Sequence, residues 1–237
     1  MLAGLLVGFI AGATSALVGI GGGLVMVPAM HYGLGLDWHE ATIISLGAIV
    51  IQAPLGVWRH AIRGAVDLRL GLIFVATGAL GVMVGAWTEP MVPVRIFKAI
   101  FVLVLGFAAW RMWKPALEIA TISRAFLPLG GFVAGVLAKW LGIGGGLLLV
   151  PFMALTGIPV HTAIGTSLIP VLSNAAVGSA IGMRAWDAAL WSIVLGFGGL
   201  VGAPVGARIA HATSPAKMRR AVAVIMLIAA VIMLIRI

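Results

Sequence analysis

The chain has 237 residues, of which 62% are hydrophobic and only 9% charged, and its mean hydropathy is +1.22. That is too little polar sequence to cover a water-soluble globule, so an integral membrane protein is expected. The formal net charge of +9 does not point to nucleic acid, because no basic patch or aromatic-basic module occurs and the basic residues of membrane proteins gather in cytoplasmic loops.

The first charged residue is Asp37, so nothing in the opening stretch resists hydrocarbon. The start lacks the basic flank of a secretory signal and is read as a retained segment. Apolar runs then cover residues 2–19, 24–36, 41–58, 70–88 and 96–113, and again 125–141, 147–158, 162–183, 188–207 and 218–235. Most suit one helical crossing, since a bilayer core of about 30 Å takes roughly 20 helical residues. The runs 24–36 and 147–158 are too short, follow a triple glycine and carry Pro28 and Pro151. They suit a re-entrant half-helix or the second limb of a broken helix.

The two halves share a pattern, G-x6-GIGGGL-x2-VP, over Gly12–Pro28 and again over Gly135–Pro151. Beyond it Gly35, His39, Ala41, Ser45 and Leu46 match Gly157, His161, Ala163, Ser167 and Leu168, while Gln52 falls on Asn174 and Gly56 on Gly178. Asp67 then matches Asp187, and Gly78, Gly81 and Gly85 match Gly199, Gly202 and Gly206. The expectation is a duplicated all-α polytopic membrane protein of about eight transmembrane segments. Residues 1–113 form the first transmembrane repeat, 114–124 a cytoplasmic linker and 125–237 the second repeat.

Charge decides the relative orientation of the repeats. If each GIGGG region crosses the bilayer, basic residues divide almost evenly between the two faces. If each enters and returns, Arg59, Arg63, Arg69, Arg111, Lys114, Arg124, Arg208, Lys217, Arg219 and Arg220 lie together, ten against the four at Arg95, Lys98, Arg184 and Arg236. The positive-inside tendency selects the second arrangement. Inverted repeats are therefore expected, each beginning with a glycine-broken or re-entrant helix, with the loops near residues 63, 118 and 213 cytoplasmic and both termini outside.

The GIGGG runs lack the Lys-Ser/Thr of a P-loop and the strand–helix setting of a dinucleotide fold. Close helix packing is one use for such glycines. The other is an anion site, because Gly21, Gly22, Gly23 and Gly144, Gly145, Gly146 expose bare amides and the following half-helix points its positive end at the break. Lys139 is embedded just ahead of the second run, where its counterpart is Ala16. It either snorkels beside Trp140 or adds a positive charge to the site. Gln52 and Asn174, near Ser45, Thr166 and Ser167, either join helices or line the substrate cavity. His39 and His161 stand at helix starts, in capping or interfacial positions or, as a minority reading, in proton coupling. Gly78, Gly81 and Gly85, with Gly199, Gly202 and Gly206, read as packing faces that could also serve a homodimer. The tryptophans at 38, 58, 87, 110, 113, 186 and 191 read as interfacial anchors.

Five scattered histidines and six carboxylates show no metal-ligand spacing, zero cysteines remove thiolate ligands and disulfides, and no cofactor motif occurs. Glu40, Asp67, Glu89, Glu118 and Asp187 all lie near segment ends, which disfavours cation transport.

With the repeated G-x6-GIGGGL-x2-VP, the serine-bearing segments at Ile44-Ser45 and Thr166-Ser167 and the later small-residue segment in each half, the chain resembles the sulfite exporter TauE/SafE family over essentially its whole length. The resemblance implies a bacterial inner-membrane permease for sulfite or small organosulfonates such as sulfoacetate, acting in export. Ile44 stands where the second half has Thr166, which leaves a hydroxyl on one side only. The reading is a secondary transporter in which a small anion binds between the two breaks and the repeats rock around it. The alternatives are a passive anion channel and a transporter of another small carboxylate or oxyanion. An intramembrane enzyme would need a Ser-His pair or paired aspartates inside the membrane, and neither is evident; an assembly subunit is the remaining class.

Overall fold

A computed structural model describes residues 1–19, 21–113, 123–183 and 186–235. Most of the expected linker, with Lys114 and Glu118, lies outside the described residues, as do Arg184 and Arg236. The described chain is helical and contains no β-strand. Ten helices follow in order: α1 Leu2–Val18, α2 Gly23–Pro28, α3 Trp38–Ala61, α4 Leu68–Thr88, α5 Val94–Trp113, α6 Leu127–Leu141, α7 Gly146–Leu155, α8 Val160–Gly182, α9 Trp186–Ala212 and α10 Pro215–Ile235. Among the described residues, five stretches are long and apolar enough to cross a membrane: Trp38–Ala61, Leu68–Met91, Arg124–Leu141, Val160–Gly182 and Trp186–Ala212. Large apolar side chains such as Leu72, Leu80, Met83, Val201, Ile209 and Ile228 are exposed along these helices and α10. In a soluble protein such a belt is costly; in a bilayer it is the lipid-facing surface.

Local chemistry sets the boundaries. Asp37 accepts a hydrogen bond from the His39 amide and Asp67 one from the Leu70 amide, capping the starts of α3 and α4. Gly19 and Gly142 end α1 and α6 in the left-handed conformation, at φ 78° and 66°, and their amides donate back to Ser15 and Ala138. Pro28 and Pro151 each sit six residues into the helix that follows the break. A proline there has no amide to return to the preceding turn. In the first copy a π-type turn over Ala29–Gly33 follows at once; in the second, α7 continues to Leu155, about 15 Å at 1.5 Å per residue.

Glycines set which helices touch. A Cβ on Gly8 or Gly12 would overlap the carbonyl of Leu195 or Gly199, and one on Gly202 or Gly206 that of Phe9 or Ala13. Helices α1 and α9 therefore pack backbone to backbone and run parallel. The same holds for α6 and α4, where Gly135 meets the Gly78 carbonyl and Gly81 that of Phe132. Without a hydrophobic drive between helices in lipid, such close approach is what dispersion and packing can use. The small-residue faces that the sequence offers for a second copy are thus covered within one chain.

Helix α3 also runs parallel to α9, with Gly47 against Ser192 and Gly196 against Ile51, and Ser192 donates to the Ile44 carbonyl at 3.0 Å. Since α1 and α3 are both parallel to α9, the chain between them must reverse, and α2 is the returning limb. Helices α3 and α8 cross antiparallel, Gly56 against Leu168 and Gly178 against Leu46. Trp38, expected as an interfacial anchor, is buried instead and donates to the Trp140 carbonyl at 3.3 Å. Trp58, Trp87, Trp110, Trp113 and Trp186 are exposed.

Candidate functional site

The two glycine breaks abut. A Cβ on Gly23 would overlap the Gly142 carbonyl, and one on Gly146 the Gly19 carbonyl; Val171, midway along α8, lies against both Gly21 and Gly144. Each break thus presses its backbone into the other beside the middle of α3 and α8. Gly21, Gly22, Gly144 and Gly145 all have positive φ, between 70° and 94°. Only glycine adopts such a succession without strain.

Side chains from α3 and α8 hold the breaks in place. Ser45 donates to the Gly142 carbonyl at 2.8 Å and Ser167 to the Gly19 carbonyl at 2.9 Å, each reaching the break of the other half. Gln52 Nε2 donates to the Gly21 carbonyl at 3.3 Å and Asn174 Nδ2 to the Gly144 carbonyl at 3.2 Å, each within its own half. All four side chains are buried. Thr166 is buried too, but its hydroxyl accepts from the Asp67 amide at 2.9 Å and so anchors the α3–α4 connection.

Polar demand is left over at the centre. The amides of Gly22, Gly144 and Gly145 meet no acceptor among the described residues. Gln52 Oε1 and Asn174 Oδ1 are buried without a donor as well, but they lie against Gly199 of α9 and Gly78 of α4, on the side of each amide away from the breaks. Buried polar groups are nearly always paired, and each left unpaired costs about 1–3 kcal/mol. The centre therefore presents donors suited to an anion's oxygens.

The two ends beyond the breaks differ. At the end where α3 begins and α4 and α6 finish, Lys139 is 2% exposed and its Nζ lies 2.7 Å from Glu89 Oε2. The other Glu89 oxygen lies 2.7 Å from His39 Nδ1, and Trp140 Nε1 donates to the Gly85 carbonyl at 3.0 Å. The ammonium is thus held by a carboxylate that neither sequence reading of Lys139 included; a buried ammonium needs a counter-charge, and Glu89 supplies it. At the opposite end His60 Nε2 donates to the Ala16 carbonyl at 2.8 Å, beside the position equivalent to Lys139. Its ring lies 4.7 Å from that of His211, and His161 lies 6.2 Å beyond. His161 Nε2 is 3.1 Å from the carbonyls of both Ala210 and Thr213.

The sequence reading found the glycines, serines and amides that meet here. It missed Glu89 as the partner of Lys139, and it missed His60 and His211 altogether. The only available signal for the first pair was that an embedded lysine needs a carboxylate; nothing local indicated which one. Among the described residues no group of three or more His, Asp or Glu side chains could hold a metal ion.

Comparison with known proteins places these features. The family model for the sulfite exporter TauE/SafE matches residues 4–233. A "probable membrane transporter protein" of Haemophilus influenzae is 30% identical over 69% of this chain and 66% of its own length. One from Xylella fastidiosa is 29% identical over 90% of this chain and 84% of its own. The Bacillus subtilis protein YunE, described in the same words, is 29% identical over 90% of each chain. No solved structure matches.

Proposed function

Given that this chain belongs to the sulfite exporter TauE/SafE family of membrane transporters, we propose that it is a secondary transporter of small sulfur-containing oxyanions, sulfite or organosulfonates such as sulfoacetate. It works across the inner membrane, in the direction of export. The anion sits where the two glycine breaks abut, its oxygens taking the amides of Gly21–Gly23 and Gly144–Gly146 with Ser45, Ser167, Gln52 and Asn174 around it. The observation that carries this reading is the set of buried amides at Gly22, Gly144 and Gly145 without an acceptor. The positive end of α7, a ten-residue helix, points at the same place. Thr166 supports the site from the α4 side, and Lys139 acts as half of the closed Lys139–Glu89 pair at one end.

Inverted repeats of residues 1–113 and 125–237, joined by a cytoplasmic linker, account for the helix directions. Helices α3 and α8 are sequence equivalents, and their contacts exchange partners: Gly56 with Leu168, and its equivalent Gly178 with Leu46, the equivalent of Leu168. An antiparallel contact between equivalents is what a two-fold axis in the membrane plane generates. The α1–α2 reversal fits a re-entrant hairpin, and counting α1, α3, α4 and α5 with their equivalents gives eight segments. The end carrying Arg59, Arg63 and Arg208 is then cytoplasmic. Rocking of the two halves would open the arginine end and the Lys139–Glu89 end alternately.

Flux into proteoliposomes tests the function. Purified protein alone should give saturable sulfite and sulfoacetate uptake, lowered by at least about tenfold in Asn174→Leu that folds normally. Unsaturable conductance would identify a passive anion channel, and no flux of either anion would reject the substrate class.

A further inference from the structure

At the arginine end, outside the glycine breaks, a cavity of about 370 Å³ opens between the ends of α3 and α9, lined by Arg59, Arg63, Pro204, Val205, Ala207 and Arg208. Three arginines line one volume, and no carboxylate is among the lining residues. The ion pairs found among the described residues both involve Glu89, at the other end of the molecule. Among the described residues Arg63 Nη1 donates to the Ala207 carbonyl, at a long 3.4 Å. Arg59 lies over the Trp58 ring at 4.9 Å, and its Nε–H is buried without an acceptor. His211 Nε2, one helical turn beyond Ala207, is a second buried nitrogen without a partner.

Like charges lining one volume repel one another, and the unpartnered Arg59 Nε–H adds its own cost. An oxyanion relieves both, because planar guanidinium forks match the oxygens of sulfonate, sulfite or phosphate. We infer that this cavity is a second oxyanion site, separate from the glycine breaks and held by Arg59, Arg63 and Arg208. As a loading station for the transported anion it rests on the function proposed above; as an oxyanion site it does not. A free anion and the phosphate of a lipid headgroup offer the same chemistry here, and both can reach the end of a membrane helix.

Sulfate binding to the purified full chain, in nanodiscs of neutral phosphatidylcholine and in nanodiscs one-third phosphatidylglycerol, separates the cases. Wild type should bind sulfate in the neutral bilayer, and Arg63→Gln with Arg208→Gln should weaken binding by about tenfold or more. Arg208→Lys, which keeps the charge but not the fork, should bind more weakly than wild type and more tightly than the double variant, and its monodispersity serves as the folding control. If phosphatidylglycerol displaces sulfate from wild type, the occupant is the lipid phosphate and the site stands. Equal sulfate affinity in wild type and the double variant overturns the inference, as does an absence of both sulfate binding and arginine-dependent retention of phosphatidylglycerol. The transport reading is judged separately: loss of arginine-dependent binding in a protein with normal sulfoacetate flux, or intact binding in a protein with none, tells the two apart.

Discussion

The two glycine breaks are built alike, while the two ends of the molecule are not. At the centre a serine from the other half and an amide from the same half hold each break, at distances that agree within 0.1 Å between copies: 2.8 and 2.9 Å for the serines, 3.3 and 3.2 Å for the amides. At the ends, equivalent positions carry unrelated chemistry. Lys139 is buried against Glu89, whereas its counterpart Ala16 merely offers a carbonyl to His60. His39 meets that same carboxylate, whereas its counterpart His161 meets the carbonyls of Ala210 and Thr213. On the proposed reading of the halves as inverted repeats around one anion, symmetry is kept where both halves serve that anion and lost where each end faces different surroundings.

The largest effect should come from the close helix contacts, which are alike in both copies. Gly135→Val drives a side chain into the Gly78 carbonyl and Gly12→Val into the Gly199 carbonyl. Both should abolish monodisperse protein on size-exclusion chromatography, because backbone on either side of a packed contact cannot give way. One tolerated and one lethal substitution would break the equivalence of the copies.

Next comes the paired end. Glu89→Gln leaves the Lys139 ammonium buried without its counter-charge and should cost about 3–5 kcal/mol in thermal or denaturant unfolding. Replacing both residues together, Glu89→Leu with Lys139→Met, should recover most of that loss. At the centre, Ser45→Ala and Ser167→Ala each leave a buried carbonyl without its donor, for about 1–3 kcal/mol. The sharpening detail is that the two losses should match. Smallest of all, Arg63→Gln at the open end should change stability by less than about 1 kcal/mol, since the side chain is exposed and has no ion-pair partner among the described residues.

Much of this was legible in the sequence because membrane chains write their helices in long apolar runs and their breaks in glycine. The apolar segments fall on the helices, and the paired residues Ser45/Ser167 and Gln52/Asn174 were found through the repeat. What the repeat could not give was which half each side chain serves. That Ser45 reaches the second break and Ser167 the first follows from the antiparallel crossing of α3 and α8, a contact between residues more than a hundred positions apart. Thr166 illustrates the same limit: nothing in the repeat shows that its hydroxyl accepts from the Asp67 amide in a distant connection. The two readings of Lys139 stayed open because hydropathy shows the cost of burying a lysine and not the carboxylate that offsets it. Glycines that resembled a dimer face are used inside the chain, since parallel α1–α9 and α6–α4 packing consumes them.

The central claim is that one anion occupies the space where the two breaks meet. Because the chain has no cysteine, Val171→Cys places a single small probe against Gly21 and Gly144 at little change in volume. Its labelling by a small cationic methanethiosulfonate can be followed in proteoliposomes with and without sulfoacetate, an anion inert towards the reagent. The account predicts that sulfoacetate slows labelling in a saturable way, at the concentrations that half-saturate transport. Equal labelling with and without sulfoacetate, in protein that still carries the anion, would contradict it.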